Sequence, residues 1–302
     1  QMDHAIRAAI RNGLNPITAI QMATIQPAEF YRVNHDMGMI APGRYADVLF
    51  VEDLAEFEIG KVLANGKIWV EHGRLTEPLQ NPKYPDWLYG TMNIKRVLKP
   101  EDFRIAAPPE SGAAVNVRVI TTRDGSLETP ESIEKLTVLN GAIQADPQRG
   151  INKVCMIDRI MGTGELGAAF VKGFNIREGC IGTTANVFNQ NIVLVGASDE
   201  DMAAAANETI KMGGGFIALR RGQVAASLPT PLNGLATDKP FDEVFSAQRK
   251  LLEAWRDMGC ILQAPQMNLE FVSLVTIPYY RISTKGLACM TQDRFELAQL
   301  VV

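Results

Sequence analysis

Helical spacing governs the opening of this 302-residue chain, and strand-length apolar runs govern most of the rest. Ile6, Ala9 and Ile10 recur three and four residues apart, and Gly13 sits where a helix would stop. Asn15-Pro16 reads as an N-cap and first helical residue, with Ile17 and Ile20 on one face. Gln26-Pro27 restarts a third short helix carrying Phe30 and Tyr31. Three such helices bury little among themselves, so they need a larger surface to pack on.

From Gly38 the period changes. Met39-Ile40-Ala41-Pro42-Gly43 reads as a turn, and Ala46 to Val51 as a strand. Lys61–Ala64, Asn65-Gly66 and Lys67–Val70 carry the signature of a hairpin with a type I′ turn, closed by Gly73. Residues 76–91 hold Pro78, Pro82 and Pro85 without periodicity and read as a linker, with Trp87 and Tyr89 as anchors onto a neighbour. Beyond it, Val115, Val117 and Val119 alternate as in a half-buried strand. Leu136–Leu139, Val154–Ile157, Ile192–Val195, Phe216–Leu219 and Val224–Leu228 read as further strands, the last two flanking an Arg221-Gly222 turn. Ser198 with Asp201 predicts a capped helix running to Met212. Phe241, Val244, Phe245, Leu252, Trp255 and Met258 mark the longest helix, stopped by Gly259. The fold class is therefore mixed α/β and β.

The length suggests two domains at about 150 residues each. A hydrophobic content of 46% suffices for a real core, and a net charge of −4 with the signs well mixed argues against a nucleic-acid partner. No apolar run reaches about 18 residues, so no membrane span is expected. Cys155, Cys180, Cys260 and Cys289 form no CxxC motif and read as buried thiols of a reducing, cytoplasmic compartment. The chain opens on Gln1 with helical spacing already running by Asp3 and no leader-like segment, which reads as the downstream piece of a longer polypeptide.

His4, His35 and His72 are far apart, and none pairs at i, i+4 with another ligand type. A catalytic zinc takes three protein ligands, so no metal site is expected within this chain. Gly162-Thr163-Gly164-Glu165-Leu166-Gly167 matches GxGxxG. A dinucleotide site needs a helix opening at once, yet Lys172-Gly173-Phe174 and Glu178-Gly179 interrupt one, so a structural or site-lining glycine loop is the better reading. Asp158-Arg159, at a strand end beside that loop, reads either as a plain surface ion pair or as part of a site.

Several stretches resemble a known family. Met2-Asp3-His4, Asn15 to Thr24 and Pro27-Ala28-Glu29 are similar to the last helices of an amidohydrolase barrel. Gly38 to Val48, with the Asn65-Gly66 hairpin, is similar to the small β-sandwich of that superfamily. Gly162-Thr163-Gly164, Gly173-Phe174, Asn191-Ile192-Val193, Gly213-Gly214-Gly215, Leu228-Pro229, Gly234-Leu235, Phe271 to Leu274, Ile277-Pro278 and Thr284 to Leu287 resemble the extra C-terminal domain of adenine deaminases. The resemblance implies the tail of a (β/α)8 barrel in residues 1–35, a β-sandwich module in 36–77, a linker in 78–112 and an α/β adenine deaminase-type domain in 113–302.

It further implies hydrolysis of adenine to hypoxanthine and ammonia by a divalent metal (manganese, iron or zinc) whose His, Glu and Asp ligands all precede Gln1, leaving this chain inactive alone. A small purine substrate, a homo-oligomer and a cytoplasmic setting go with it. Adenine deaminases commonly read His-Asp-Ser-His-Asn where this chain has Val187-Phe188-Asn189-Gln190-Asn191, and a histidine where it has Ile160. Phe188 and Ile160 suit a more apolar neighbour, such as an N6-alkyl group on the purine. An amidohydrolase acting on another cyclic amide or amine, and a non-catalytic paralogue, are the alternatives. Asp158, Arg159, Asn189, Gln190 and Asn191 are the candidate substrate-proximal or supporting residues within the chain.

Overall fold

A computed structural model describes residues 2–186 and 188–302, and the chain divides after Gln80 into two compact units. The first opens with α1 (Met2–Arg11), α2 (Pro16–Ala23) and α3 (Ile25–Phe30). The Asn15 side chain accepts the backbone N–H groups of Ile17 and Thr18, and Pro16 occupies the first position, where no N–H is needed. Four strands follow as an antiparallel meander: β1 (Val48–Asp53), β2 (Glu58–Ala64), β3 (Lys67–Glu71) and β4 (Arg74–Leu75). Asn65-Gly66 and His72-Gly73 are left-handed at both positions, as type I′ turns require. Ile6, Ala19 and Phe57 are its buried centre, whereas Phe30, Tyr31 and Ile40 are 80%, 73% and 82% exposed.

The second unit is built on a nine-stranded sheet. Its strands are β5 (Ala114–Thr121), β6 (Glu131–Leu139), β7 (Ala142–Ile143), β8 (Ile151–Ile157), β9 (Leu166–Lys172), β10 (Cys180–Thr183), β11 (Ile192–Gly196), β12 (Gly215–Arg220) and β13 (Gln223–Pro229). They lie in the order β13-β12-β10-β11-β8-β9-β5-β6-β7. The β5–β9 pair is parallel, and the other ladders among the described residues are antiparallel. The edge of β5 not taken by β6 is shared. Residues Val119–Thr121 pair with β9, while Val117 lies opposite Val301 and the Arg118 N–H donates to the Leu300 carbonyl at 2.8 Å.

Both faces of the sheet are covered, so the central strands β8 and β11 are buried along their whole length rather than alternating. Val154 and Met156 of β8, with Val193 and Val195 of β11, face one layer made by α5 (Phe241–Asp257), α6 (Pro265–Phe271) and a small sheet of β14 (Tyr279–Ser283), β15 (Gly286–Met290) and β16 (Phe295–Leu297). Cys155, Ile157, Ile192 and Leu194 face the other layer, made by α4 (Asp199–Lys211) with Leu98 and Phe103. Leu98 and Phe103 lie in the stretch that the sequence sets apart as a linker, yet both are buried in this unit's core. Trp255 is fully buried and its indole N–H donates to the Ile217 carbonyl at 2.9 Å, locking α5 to the sheet. Of the expected anchors, Tyr89 donates its hydroxyl to Asp238, while Trp87 remains 76% exposed.

Candidate functional site

The ends of β8, β10 and β13 and the starts of β9, β11 and β12 meet at one end of the sheet, because these neighbours run antiparallel. The loops 158–165 and 230–236 gather there with residues 184–186 and 188–191. Asp158, Arg159, Asn189, Gln190 and Asn191 all lie in this cluster.

Asp158 and Arg159 do not form the surface ion pair that their adjacency suggests. Successive residues of an extended chain point to opposite sides, and both are buried. The Asp158 carboxylate folds back on its own loop. One oxygen accepts the N–H groups of Ile160 at 3.1 Å and Met161 at 3.0 Å, and the other accepts the N–H and hydroxyl of Thr163. Burial pushes its pKa up, but the hydrogen bonds led by Thr163 outweigh that and hold it below the usual carboxylate value. This makes Gly162–Glu165 the tip of the β8–β9 hairpin. Residue 166 begins a strand and not a helix, so the GxGxxG match is not a dinucleotide loop.

Arg159 is wholly buried, and no carboxylate is among its hydrogen-bond partners. Its guanidinium donates from Nε to the Gln190 carbonyl, from Nη1 to the Thr91 carbonyl and hydroxyl at 3.2 Å each, and from Nη2 to the Asn233 carbonyl at 2.8 Å. Burial lowers its pKa to about 10, which leaves it charged at neutral pH. One cation thus ties the segment around Thr91 to two of the loops. Carbonyl dipoles stand in for a counter-ion.

The loop before β11 is organised by a residue the sequence reading did not single out. The Asn186 side-chain oxygen accepts the N–H groups of Asn189 at 3.2 Å and Gln190 at 2.8 Å, and its amide donates to the Asn191 carbonyl at 2.8 Å. Gln190 is left-handed, with φ at +56°. Asn189 donates to the carbonyl and hydroxyl of Ser273 at 3.0 and 3.1 Å, and Asn191 accepts the Arg159 N–H at 3.1 Å. Thr184, also unremarked in the sequence, donates to the Gly234 carbonyl at 2.7 Å and accepts the Gly215 N–H at 2.8 Å. The only sequence signal for either is a short polar side chain in a turn, which commonly bonds nearby backbone.

These polar groups are spent on holding the loops. Beside the exposed Thr163 and Glu165 side chains, the loops present three apolar ones outward: Ile160 is 37% exposed, Phe188 62% and Met161 80%. Val187, in the stretch that departs from the family pattern, lies outside the described residues. Among the described residues no group of three or more His, Cys, Asp or Glu side chains is placed to hold a metal ion, so these residues do not fit a divalent-metal centre. His35 meets only the exposed carboxylate of Asp36, at 3.2 Å.

Two family models match the chain: "Adenine deaminase C-terminal domain" over residues 126–294 and "Amidohydrolase family" over residues 1–69. A protein of Moorella thermoacetica named adenine deaminase is 38% identical over 300 residues, covering 99% of this chain and 50% of the relative. One of Clostridium botulinum with the same name is 36% identical, covering 100% and 50%. One of Mesorhizobium japonicum, also so named, is 36% identical, covering 96% and 48%. The chain thus spans about half the length of the curated relatives it matches.

Proposed function

Because the chain belongs to the adenine deaminase C-terminal domain family, we propose that it is the C-terminal half of an enzyme that hydrolyses adenine to hypoxanthine and ammonia. The observation that carries this reading is the alignment of nearly the whole chain with relatives named adenine deaminase. The amidohydrolase match at residues 1–69 supports a barrel tail followed by a β-sandwich module in the first unit. The exposed Phe30, Tyr31 and Ile40 support it too, since a barrel would supply apolar surface for them.

A divalent metal, manganese, iron or zinc, would supply a water nucleophile made acidic enough to ionise near neutral pH. On this reading its ligands belong to polypeptide outside the chain, consistent with the lack of any fitting cluster among the described residues. The part played by this chain is then structural and selective. Asp158, Arg159 and Asn186 fix the loops that carry Ile160, Met161 and Phe188.

Those three exposed apolar side chains favour a second reading of the substrate, in which the purine carries an N6-alkyl group. The four unpaired, buried cysteines support a reducing, cytoplasmic setting. No helix among the described residues is long and apolar enough to cross a membrane.

The test is ammonia or amine release by metal-loaded full-length enzyme from adenine and N6-methyladenine. Turnover of adenine supports the first reading, and preference for N6-methyladenine the second. Turnover of neither, with other cyclic amides hydrolysed, points to a different amidohydrolase. Turnover of nothing points to a non-catalytic paralogue.

A further inference from the structure

We propose that the groove between β13 and α5 joins two copies of this chain, α5 against α5 across a two-fold axis. β13 is the outer strand of the large sheet, and its far edge carries no ladder among the described residues. That edge does not suit an added strand. The register jumps from Ala226↔Ala218 to Val224↔Leu219, leaving Ala225 as a bulge, and Pro229 ends the strand without an N–H. A helix is the element that fits. The groove encloses about 580 Å³ between Ala225, Ala226 and Ser227 on the strand and Ser246 and Ala247 on the helix, all small side chains that permit close approach.

The charges name the occupant. The first turn of α5 is acidic, with Asp242 and Glu243, and two turns later it is basic, with Arg249 and Lys250. Glu243, Ala247 and Lys250 share one helix face. Asp242, Glu243 and Lys250 form no salt bridge among the described residues, and Arg249 reaches only Glu253, at 3.9 Å. An antiparallel copy whose two-fold axis passes between Ser246 and Ala247 sets Glu243 opposite Lys250 of the second copy, and Lys250 opposite its Glu243. Each pair stands about 5 Å along the helix from the axis, at 1.5 Å rise per residue, with the small residues between them. A parallel copy in register would set acid on acid and base on base. The acid, small, small, base order is therefore self-complementary in the way an isologous contact requires. The inference is independent of the deaminase reading.

Sedimentation of the full-length protein over a concentration series tests it. Lys250→Glu and Glu243→Lys should each raise the dimer dissociation constant about tenfold, since each sets like charges together twice. The double exchange should restore it. Ser246→Cys should give a dimer linked through position 246 under mild oxidation, and the four cysteines of this chain are buried and do not compete. All these positions are exposed, so melting temperature and deaminase activity should stay at wild-type values. Dissociation constants unmoved by either charge reversal, a monomer at every concentration, or no cross-link at position 246 would overturn the proposal. The last is also the result expected if another segment of the same polypeptide fills the groove.

Discussion

Gly234 lies flat against the guanidinium of Arg159: a Cβ at position 234 would stand 2.6 Å from Nη2 and 2.7 Å from Cζ. Its φ of +69° also lies where side-chain-bearing residues are strained. Gly234→Ala should therefore lower stability by about 1–3 kcal/mol, combining backbone strain with displacement of the cation. Arg159→Met should cost more, about 3 kcal/mol or above, because the part-buried carbonyls of Thr91, Gln190 and Asn233 lose their donor together. Urea denaturation measures both. A methionine variant within about 0.5 kcal/mol of wild type would show that Arg159 is not the tie between these segments.

Asp158 gives a pH signature. Its pKa is depressed in the folded protein, so its contribution to stability is present above the unfolded value near 4 and is lost as pH falls through the folded value. As pH falls below about 4, wild type should lose melting temperature faster than Asp158→Asn, whose side chain does not titrate. Parallel loss in the two proteins would refute the assignment.

The third glycine of the GxGxxG match has a packing reason. A Cβ on Gly167 would come 2.0 Å from the Ser283 carbonyl and 2.4 Å from the Gly286 nitrogen, both backbone atoms that a rotamer change cannot move. Gly167→Ala should force the β14–β15 hairpin off β9 and cost about 3 kcal/mol or more, seen as a large drop in melting temperature. NAD and ATP should leave the wild-type melting temperature where it is. A rise with either nucleotide would restore the phosphate-binding reading of this loop.

The cysteines should be silent in the native state. Cys155, Cys180, Cys260 and Cys289 are buried, and burial pushes the thiols of Cys155, Cys180 and Cys260 above their ordinary pKa. A thiol-specific disulfide reagent should label none within minutes at neutral pH and all four in denaturant. Rapid labelling of any one without denaturant would contradict the packing described here.

Turn chemistry made part of the second unit legible: Arg221-Gly222, read as a turn between two strands, is left-handed at both positions. β9 and β10 escaped notice for the opposite reason. Leu-Gly-Ala-Ala-Phe-Val-Lys and Cys-Ile-Gly-Thr are short and glycine-bearing, and their neighbours in the sheet make them strands. Helical spacing located α5 with its buried Trp255 and the buried Met258 that follows it, but it passed over buried Leu251 and misplaced Phe241 and Phe245, which stack on each other in the open. In the site, neighbourhood in sequence suggested an Asp158–Arg159 pair that extended backbone forbids. The roles of Asn186 and Thr184 depend on how loops fold back from distant strands, which no local pattern encodes.

The shared edge of β5 bears on how this polypeptide reaches its final form. Half of that edge is completed by β9, but the other half must wait for residues 299–302, and 181 positions separate Arg118 from the Gln299 carbonyl that its side chain meets. Until that late segment arrives from the ribosome, the backbone at Asn116–Arg118 stays open to pairing with any passing strand. The same gap reopens whenever the segment frays, which makes this seam a natural starting point for aggregation.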